Sequence, residues 1–97
     1  MAEYKVRKPA VAGTFYPSDK NSLKYHIEEY IAHAENKSDD RKIVRGIVSP
    51  HAGYVYSGPV AGWSFKQVQG KQYDSVVVIS PSHMEAFRGC SVFSGDA

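Results

Sequence analysis

The sequence predicts an α/β fold with a mainly parallel sheet flanked by helices. Two β-branched runs, at residues 43–48 and 75–80, have the composition of buried strands. A stretch with helical periodicity lies between them, and a strand followed by a helix and a second strand is the unit from which parallel sheets are built. A second helical stretch precedes the first run, which places the chain in the α/β class.

Two stretches are predicted to be irregular. Residues 3–17 form a lead-in that Pro9, Gly13 and Pro17 interrupt, so this segment is expected to drape over the body of a domain. Residues 35–42 are polar throughout and are expected to form a solvated loop.

The first helix is predicted over about residues 19–35. Ser18 or Asp19 can cap it by accepting a hydrogen bond from a free backbone N–H. Apolar side chains recur every three or four residues and form one helical stripe, at Leu23, Ile27, Ile31 and Ala34.

The next two elements are a strand and a helix. Residues 43–48 carry apolar side chains at neighbouring positions, so both faces of the strand are expected to be buried. The second helix is predicted over about residues 58–69. Ser57 can cap it, Pro59 suits its first turn and Gly70 ends it.

Residues 75–80 give the strongest strand signal, and a third strand is predicted over 90–93. A parallel sheet needs helices on both faces, and two helices cover three strands poorly. We therefore expect residues 1–97 to be the N-terminal portion of a single α/β domain. Alternatively, the sheet is completed by a partner, such as a second copy in a homo-oligomer.

Composition limits the function. A chain of 97 residues forms at most one small domain. Twelve basic and ten acidic residues leave a net charge of +2, which does not indicate nucleic-acid binding. The sequence has no apolar run long enough for a membrane span and no hydrophobic signal region. A single cysteine, Cys90, fits a reducing compartment, so we expect a cytoplasmic protein.

The two main predicted strands end in nearly the same sequence, Ser-Pro-His at 49–51 and Ser-Pro-Ser-His at 80–83. Ligands of open α/β sheets bind outside the carboxyl ends of the strands, so His51 and His83 are expected at the same end of the sheet. Two imidazoles there could supply two metal ligands, or an acid and a base. The alternative is that each histidine only hydrogen-bonds locally.

Two ligands do not complete a metal site. A catalytic zinc or iron usually takes three protein ligands. Glu85 and Cys90 follow His83, but Cys90 lies in the predicted third strand and is expected to be a small buried residue.

Tyr54 and Tyr56 follow His51 in the loop between strand and helix. If this stretch is extended, alternation places both tyrosines on the same side. Either of them could line a pocket and donate a hydrogen bond through its hydroxyl. The alternative for each is aromatic packing against a neighbouring loop.

Three segments resemble a known family. They are Arg-Lys-Pro-Ala-Val-Ala-Gly-Thr-Phe-Tyr-Pro at 7–17, Pro-His-Ala-Gly-Tyr-Val-Tyr-Ser-Gly at 50–58 and Ser-Pro-Ser-His at 80–83. In this order they resemble the Memo family, whose prokaryotic members are called AmmeMemoRadiSam system protein B. The resemblance covers essentially the whole chain.

The resemblance implies an α/β fold related to class III extradiol dioxygenases, in which two histidines and a carboxylate hold a non-haem Fe(II). It implies a pocket with two motif histidines and a downstream cysteine, with a further histidine and aspartate nearby. His51 and His83 match the two histidines, Tyr56 matches a pocket tyrosine, and Phe15 matches an aromatic residue near the pocket. The downstream residues have no counterpart here, and Cys90 does not replace the cysteine.

Two main functions follow as expectations. The first is a redox or dioxygenase-like protein with His51 and His83 as ligands of iron, copper or zinc, and with Tyr56 as an orienting or proton-donating catalytic group. The second is a non-catalytic module that holds a peptide or a small anionic ligand against Phe15, Tyr54 and Tyr56. A scaffold without a small-molecule ligand is the third option. The family name also implies AMMECR-type and radical-SAM pathway partners.

Overall fold

The structure is a computed structural model that describes residues 3–97 and divides the chain into two compact units. The helical unit consists of Ala10–Lys71. The terminal unit consists of the described residues up to Pro9 together with Gln72–Ala97. No helix within residues 3–97 is long and apolar enough to cross a membrane.

Helix α1 spans Lys20–Ala32 and begins close to its predicted start. Asp19 is the N-cap, and its carboxylate accepts a hydrogen bond of 2.8 Å from the Ser22 N–H. This bond satisfies one of the free amides at the helix N-terminus. The helix ends at Ala32 rather than at the predicted residue 35, with His33 as its C-cap.

Helix α2 spans Tyr54–Lys66 and begins four residues before its predicted start. Gly53 is the N-cap, without a side-chain capping bond. Ser57 therefore lies inside the helix, where its Oγ donates 2.8 Å to the Ala52 carbonyl oxygen. Pro59 also lies in the interior, where it cannot donate a main-chain hydrogen bond.

The two helices pack against each other where α2 carries glycine. Gly58 and Gly62 are buried and lie one turn apart, on the same face of α2. A Cβ added at Gly62 would collide with the main-chain carbonyl of Tyr30 on α1, and one added at Gly58 would collide with the Tyr30 ring. The absence of side chains at these two positions therefore permits the close approach of the helices.

A glutamine at the end of α2 ties the chain that leaves α1 to the helical unit. The Gln67 amide nitrogen donates to the carbonyl oxygens of Glu35 at 2.8 Å and Trp63 at 2.9 Å. Its amide oxygen accepts from the Lys37 N–H at 2.7 Å. These bonds fix the start of the predicted solvated loop against α2.

The prediction of a mainly parallel sheet, and with it the α/β, dioxygenase-like architecture, is wrong for this structure. Within residues 3–97 the structure contains no β-strand, and the segments 43–48, 75–80 and 90–93 form no β-ladder. Val48 is 94% exposed and Ile79 is 91% exposed. β-Branched residues favour a pleated, half-buried surface. A strand forms its hydrogen bonds only when a partner strand lies beside it.

The terminal unit is held together near the two ends of the described chain. The Arg7 N–H donates 2.7 Å to the Ala97 carbonyl oxygen, and the Asp96 N–H donates 2.8 Å to that of Lys5. The Lys5 N–H donates 2.6 Å to the Asp96 carboxylate, and its ammonium lies 5.8 Å from the centre of the Phe93 ring.

Candidate functional site

The structure brings Phe15 together with the start of α2, within the helical unit. The Phe15 carbonyl oxygen accepts a hydrogen bond of 2.8 Å from the Tyr54 N–H. A Cβ added at Gly53 would lie 3.5 Å from the Phe15 ring and 3.8 Å from the Tyr56 ring. Two predicted ligand-binding residues that are distant in sequence, Phe15 and Tyr56, thus lie beside the same glycine.

A tight turn positions Phe15. The Phe15 N–H donates 3.0 Å to the Val11 carbonyl oxygen, and the Gly13 N–H donates 2.7 Å to that of Tyr16. Gly13 has a φ of +84°, a conformation that side chains with a Cβ rarely adopt. The lead-in is irregular, as predicted, but it is locally ordered by these bonds.

Tyr54 and Tyr56 do not share a side. Both lie in the first turn of α2, where residues two apart point about 200° from each other. Tyr54 is half-buried, with its ring centre 5.5 Å from that of Tyr16 and 6.4 Å from that of Tyr30. Tyr56 is 84% exposed. Tyr54 therefore packs the helical unit together, and Tyr56 is the tyrosine that a ligand can reach.

The main chain around His51 is held on both sides by serines of α2. Ser64 Oγ donates 2.8 Å to the Val48 carbonyl oxygen, and Ser57 Oγ donates 2.8 Å to the Ala52 carbonyl oxygen. The His51 residue itself is exposed. The helix therefore fixes the backbone of this segment while the imidazole stays accessible to solvent.

His83 belongs to the terminal unit and lies in a short turn. Ser82 Oγ donates 2.6 Å to the Glu85 carbonyl oxygen and accepts from the Glu85 N–H at 3.3 Å. His83 is exposed. Cys90 is also exposed, contrary to the expectation of a buried residue, because the strand that would bury it is not formed.

The described residues do not complete a metal site. Among residues 3–97 no group of three or more histidine, cysteine, aspartate or glutamate side chains is arranged to hold a metal ion. His51 lies in the helical unit and His83 in the terminal unit. Two imidazoles suit iron, copper and zinc chemically, but a catalytic zinc or iron usually takes three protein ligands.

The sequence interpretation missed the serines that hold the His51 segment. Ser57 was expected to cap a helix, and Ser64 had no predicted role. A signal was present, because the two serines lie seven residues apart and therefore on one face of a helix. This spacing indicates a shared face only if α2 begins at Tyr54, so that Ser57 lies inside the helix.

Comparisons with known proteins agree with one another. The profile of the family described as Memo-like protein matches residues 7–97. A MEMO1 family protein of Nitrosopumilus maritimus is 43% identical over 80% of this chain and 30% of its own length. A MEMO1 family protein of Aquifex aeolicus is 40% identical over 96% of this chain and 33% of its own length. The chain spans about a third of the length of these curated relatives, and no solved structure matches it significantly.

Proposed function

The chain belongs to the Memo-like protein family, as its motifs predict, and on this premise we propose that its helical unit binds a small aromatic anion. One observation carries the proposal. Phe15 and Tyr56 lie beside the same glycine at the start of α2, and the two residues are 47% and 84% exposed.

The chemistry of this position suits such a ligand. Exposed aromatic rings accept a ligand ring in stacked or edge-on contact. The N-terminus of a helix carries a partial positive charge that attracts anions, although the Tyr54 N–H at the start of α2 already donates to the Phe15 carbonyl oxygen. The Tyr56 hydroxyl can donate a hydrogen bond. His51, two residues before Gly53, adds an accessible imidazole.

Binding of 3,4-dihydroxybenzoate, followed by NMR chemical shifts, tests the proposal. Tyr56→Ala is expected to weaken binding roughly two- to twelvefold, since an aromatic pair contributes about 0.5–1.5 kcal/mol. Tyr4→Ala is the matched control, because Tyr4 is also 84% exposed but lies in the terminal unit. Equal losses in the two variants would refute the site.

Two further comparisons sharpen this experiment. Cyclohexanecarboxylate has the charge of the probe and no aromatic ring, so it is expected to bind more weakly. Equal affinity would mean that the anionic group alone is recognised. Tyr56→Phe keeps the ring and removes the hydroxyl, and a loss as large as that of Tyr56→Ala would assign the contribution to the hydroxyl. The latter result would support an orienting or proton-donating role.

Metal binding by His51 and His83 is the second candidate function. It is supported by the repeated motif around the two histidines and by the serine bonds that hold the His51 segment in place. In this proposal each histidine supplies one imidazole ligand to iron, copper or zinc. The described residues do not complete the ligand set, so no reaction step is assigned to the metal.

Titration with Fe(II), Cu(II) and Zn(II) tests this second function. The chain contains four histidines, which provides an internal control. His51→Ala and His83→Ala are each expected to weaken binding of the same metal. His26→Ala and His33→Ala, on exposed positions of α1 and its C-cap, are expected to leave it unchanged. Equal losses in the two pairs would show nonspecific binding to surface imidazoles.

A further inference from the structure

We propose that Tyr16 is the positioning residue that holds Phe15 at the start of α2, and that ligand binding and this docking stabilise each other. The inference rests on the proposed function, because Phe15 and Tyr56 form the site concerned. Phe15 is carried by residues 11–16, which we call the Phe15 turn. The Tyr16 ring joins this turn to α2, with its centre 5.5 Å from that of the Tyr54 ring.

The Phe15 turn is closed by its own hydrogen bonds. The Thr14 and Phe15 N–H groups both donate to the Val11 carbonyl oxygen, at 3.1 and 3.0 Å. The Gly13 N–H donates 2.7 Å to the Tyr16 carbonyl oxygen, and the φ of +84° at Gly13 suits glycine. Because these bonds join residues of the turn to each other, they do not depend on α2. The turn can therefore dock on the helix and leave it as one piece.

Tyr16 supplies the buried part of the contact between this turn and α2. Residues 11–15 are exposed, whereas Tyr16 is half-buried. Its ring is tilted by 40° against the Tyr54 ring, which also lies 6.4 Å from the Tyr30 ring on α1. The Tyr54 N–H adds a main-chain bond of 2.8 Å to the Phe15 carbonyl oxygen. The turn is thus anchored by a ring that no ligand at Tyr56 needs to touch.

Docking of the Phe15 turn decides whether the site is complete. With the turn docked, Phe15 and Tyr56 both lie beside Gly53. With the turn undocked, Tyr56 alone remains there. A ligand that contacts both rings binds the docked state better and shifts the equilibrium toward it, and its apparent affinity falls in proportion to the docked fraction. The coupling is reciprocal, so a bound ligand also holds the turn against α2.

Amide hydrogen exchange followed by NMR measures docking without any ligand, because the Tyr54 N–H is bonded to Phe15 only in the docked state. Tyr16→Ala is expected to speed exchange at Tyr54 about two- to twelvefold, the factor that corresponds to one aromatic pair. Exchange at Trp63, inside α2, should stay unchanged. Binding of 3,4-dihydroxybenzoate should weaken by up to the same factor, and this probe should slow exchange at Tyr54 in the wild-type chain.

Two variants serve as controls. Tyr16→Phe keeps the ring and should retain both slow exchange and affinity, and Tyr25→Ala removes a ring that contacts His26 on α1 and should change neither. Equal acceleration at Tyr54 and Trp63 in Tyr16→Ala would show general destabilisation and overturn the proposal, as would unchanged exchange at Tyr54 or unchanged affinity. No binding by the wild-type chain would overturn the proposed function and the coupling, whereas exchange at Tyr54 would still decide whether Tyr16 holds the turn.

Discussion

The helical unit and the terminal unit differ in where their main-chain hydrogen bonds go. In the helical unit, two helices of 13 residues each close their bonds within a few residues along the chain. In the terminal unit, the long-range main-chain bonds lie close to the two ends of the described chain, at Lys5, Arg7, Asp96 and Ala97. Residues 75–80 carry a stronger β-branched pattern than any other segment, yet they are unpaired. A helix forms from its own residues, whereas a strand depends on a partner.

The same difference governs burial. Each helix packs against the other, and Gly58 and Gly62 are buried where they meet. The hydrophobic core remains small, since Ala34 is the only buried hydrophobic residue within residues 3–97. The β-branched residues 76–79 have no such surface and stay exposed. Predictions that perturb one unit and not the other test this contrast.

The largest effect is expected from Gly62→Ala. The added Cβ would collide with the Tyr30 main-chain carbonyl, and backbone cannot rotate away as a side chain can. Overpacking costs about 1–3 kcal/mol, and alanine regains about 1 kcal/mol of helix propensity. The free energy of unfolding should therefore fall by up to about 2 kcal/mol. Urea denaturation followed by helical circular dichroism measures it.

Two other glycines calibrate that result. Gly58→Ala meets the Tyr30 ring, which can shift, so a smaller loss is expected. Gly46→Ala meets nothing within 4 Å and should leave stability unchanged or slightly raised, because alanine restricts the unfolded chain. A loss at Gly46 as large as that at Gly62 would contradict close helix packing as the cause.

Asp19→Ala should have the next largest effect. It removes the hydrogen bond from the Ser22 N–H to the Asp19 carboxylate, and loss of an N-cap costs about 1 kcal/mol. Helical circular dichroism should weaken and the melting temperature should fall. Asp74→Ala removes the same charge from the terminal unit and should leave both unchanged. Equal effects of the two substitutions would point to net charge instead of capping.

The sequence predicted the local features of this structure and failed on the non-local ones. Asp19 and the periodic apolar residues placed α1 within a few residues of its true bounds. Helix α2 was placed four residues late, because Ser57 and Pro59 are both typical of a helix start. Here the chain enters the helix at Tyr54, where the Phe15 carbonyl oxygen accepts the Tyr54 N–H. Local helix propensity cannot predict a hydrogen bond between residues as distant in sequence as Phe15 and Tyr54.

The candidate site shows the same limit. Family motifs singled out Phe15 and Tyr56, and the structure places both beside Gly53. The pairing of Tyr54 with Tyr56 failed, since it assumed an extended backbone where the chain is helical. The sheet failed because β-branched composition reports a preference for a pleated surface and does not supply the partner that makes one. His51 and His83 as ligands of one metal stay a prediction.

The smallest effect is expected at the contact between Asp39 and Arg41. Because these residues are only two apart, their contact should persist when α1 and α2 no longer pack together. The Arg41 guanidinium donates to the Asp39 carboxylate at 3.0 and 3.2 Å, and the Arg41 N–H donates at 2.9 Å. The side-chain bonds, and then the main-chain bond, lower the pKa of Asp39 from its ordinary value. Carbon-detected NMR titration should show this lowering, and Arg41→Gln should reverse most of it.

The sign follows from the direction of the pKa change. Wherever the unfolded chain lacks these bonds, the pKa of Asp39 is lower in the folded state, so the contribution of Asp39 to stability is present above the unfolded pKa and is lost as pH falls through the folded pKa. The contribution is small, since Asp39 is solvated and exposed ion pairs are screened by salt. In Gly62→Ala the pKa of Asp39 should stay low even where helix contacts are lost. A return to the ordinary value in that variant would mean that this loop depends on helix packing, and that local bonding alone does not hold it.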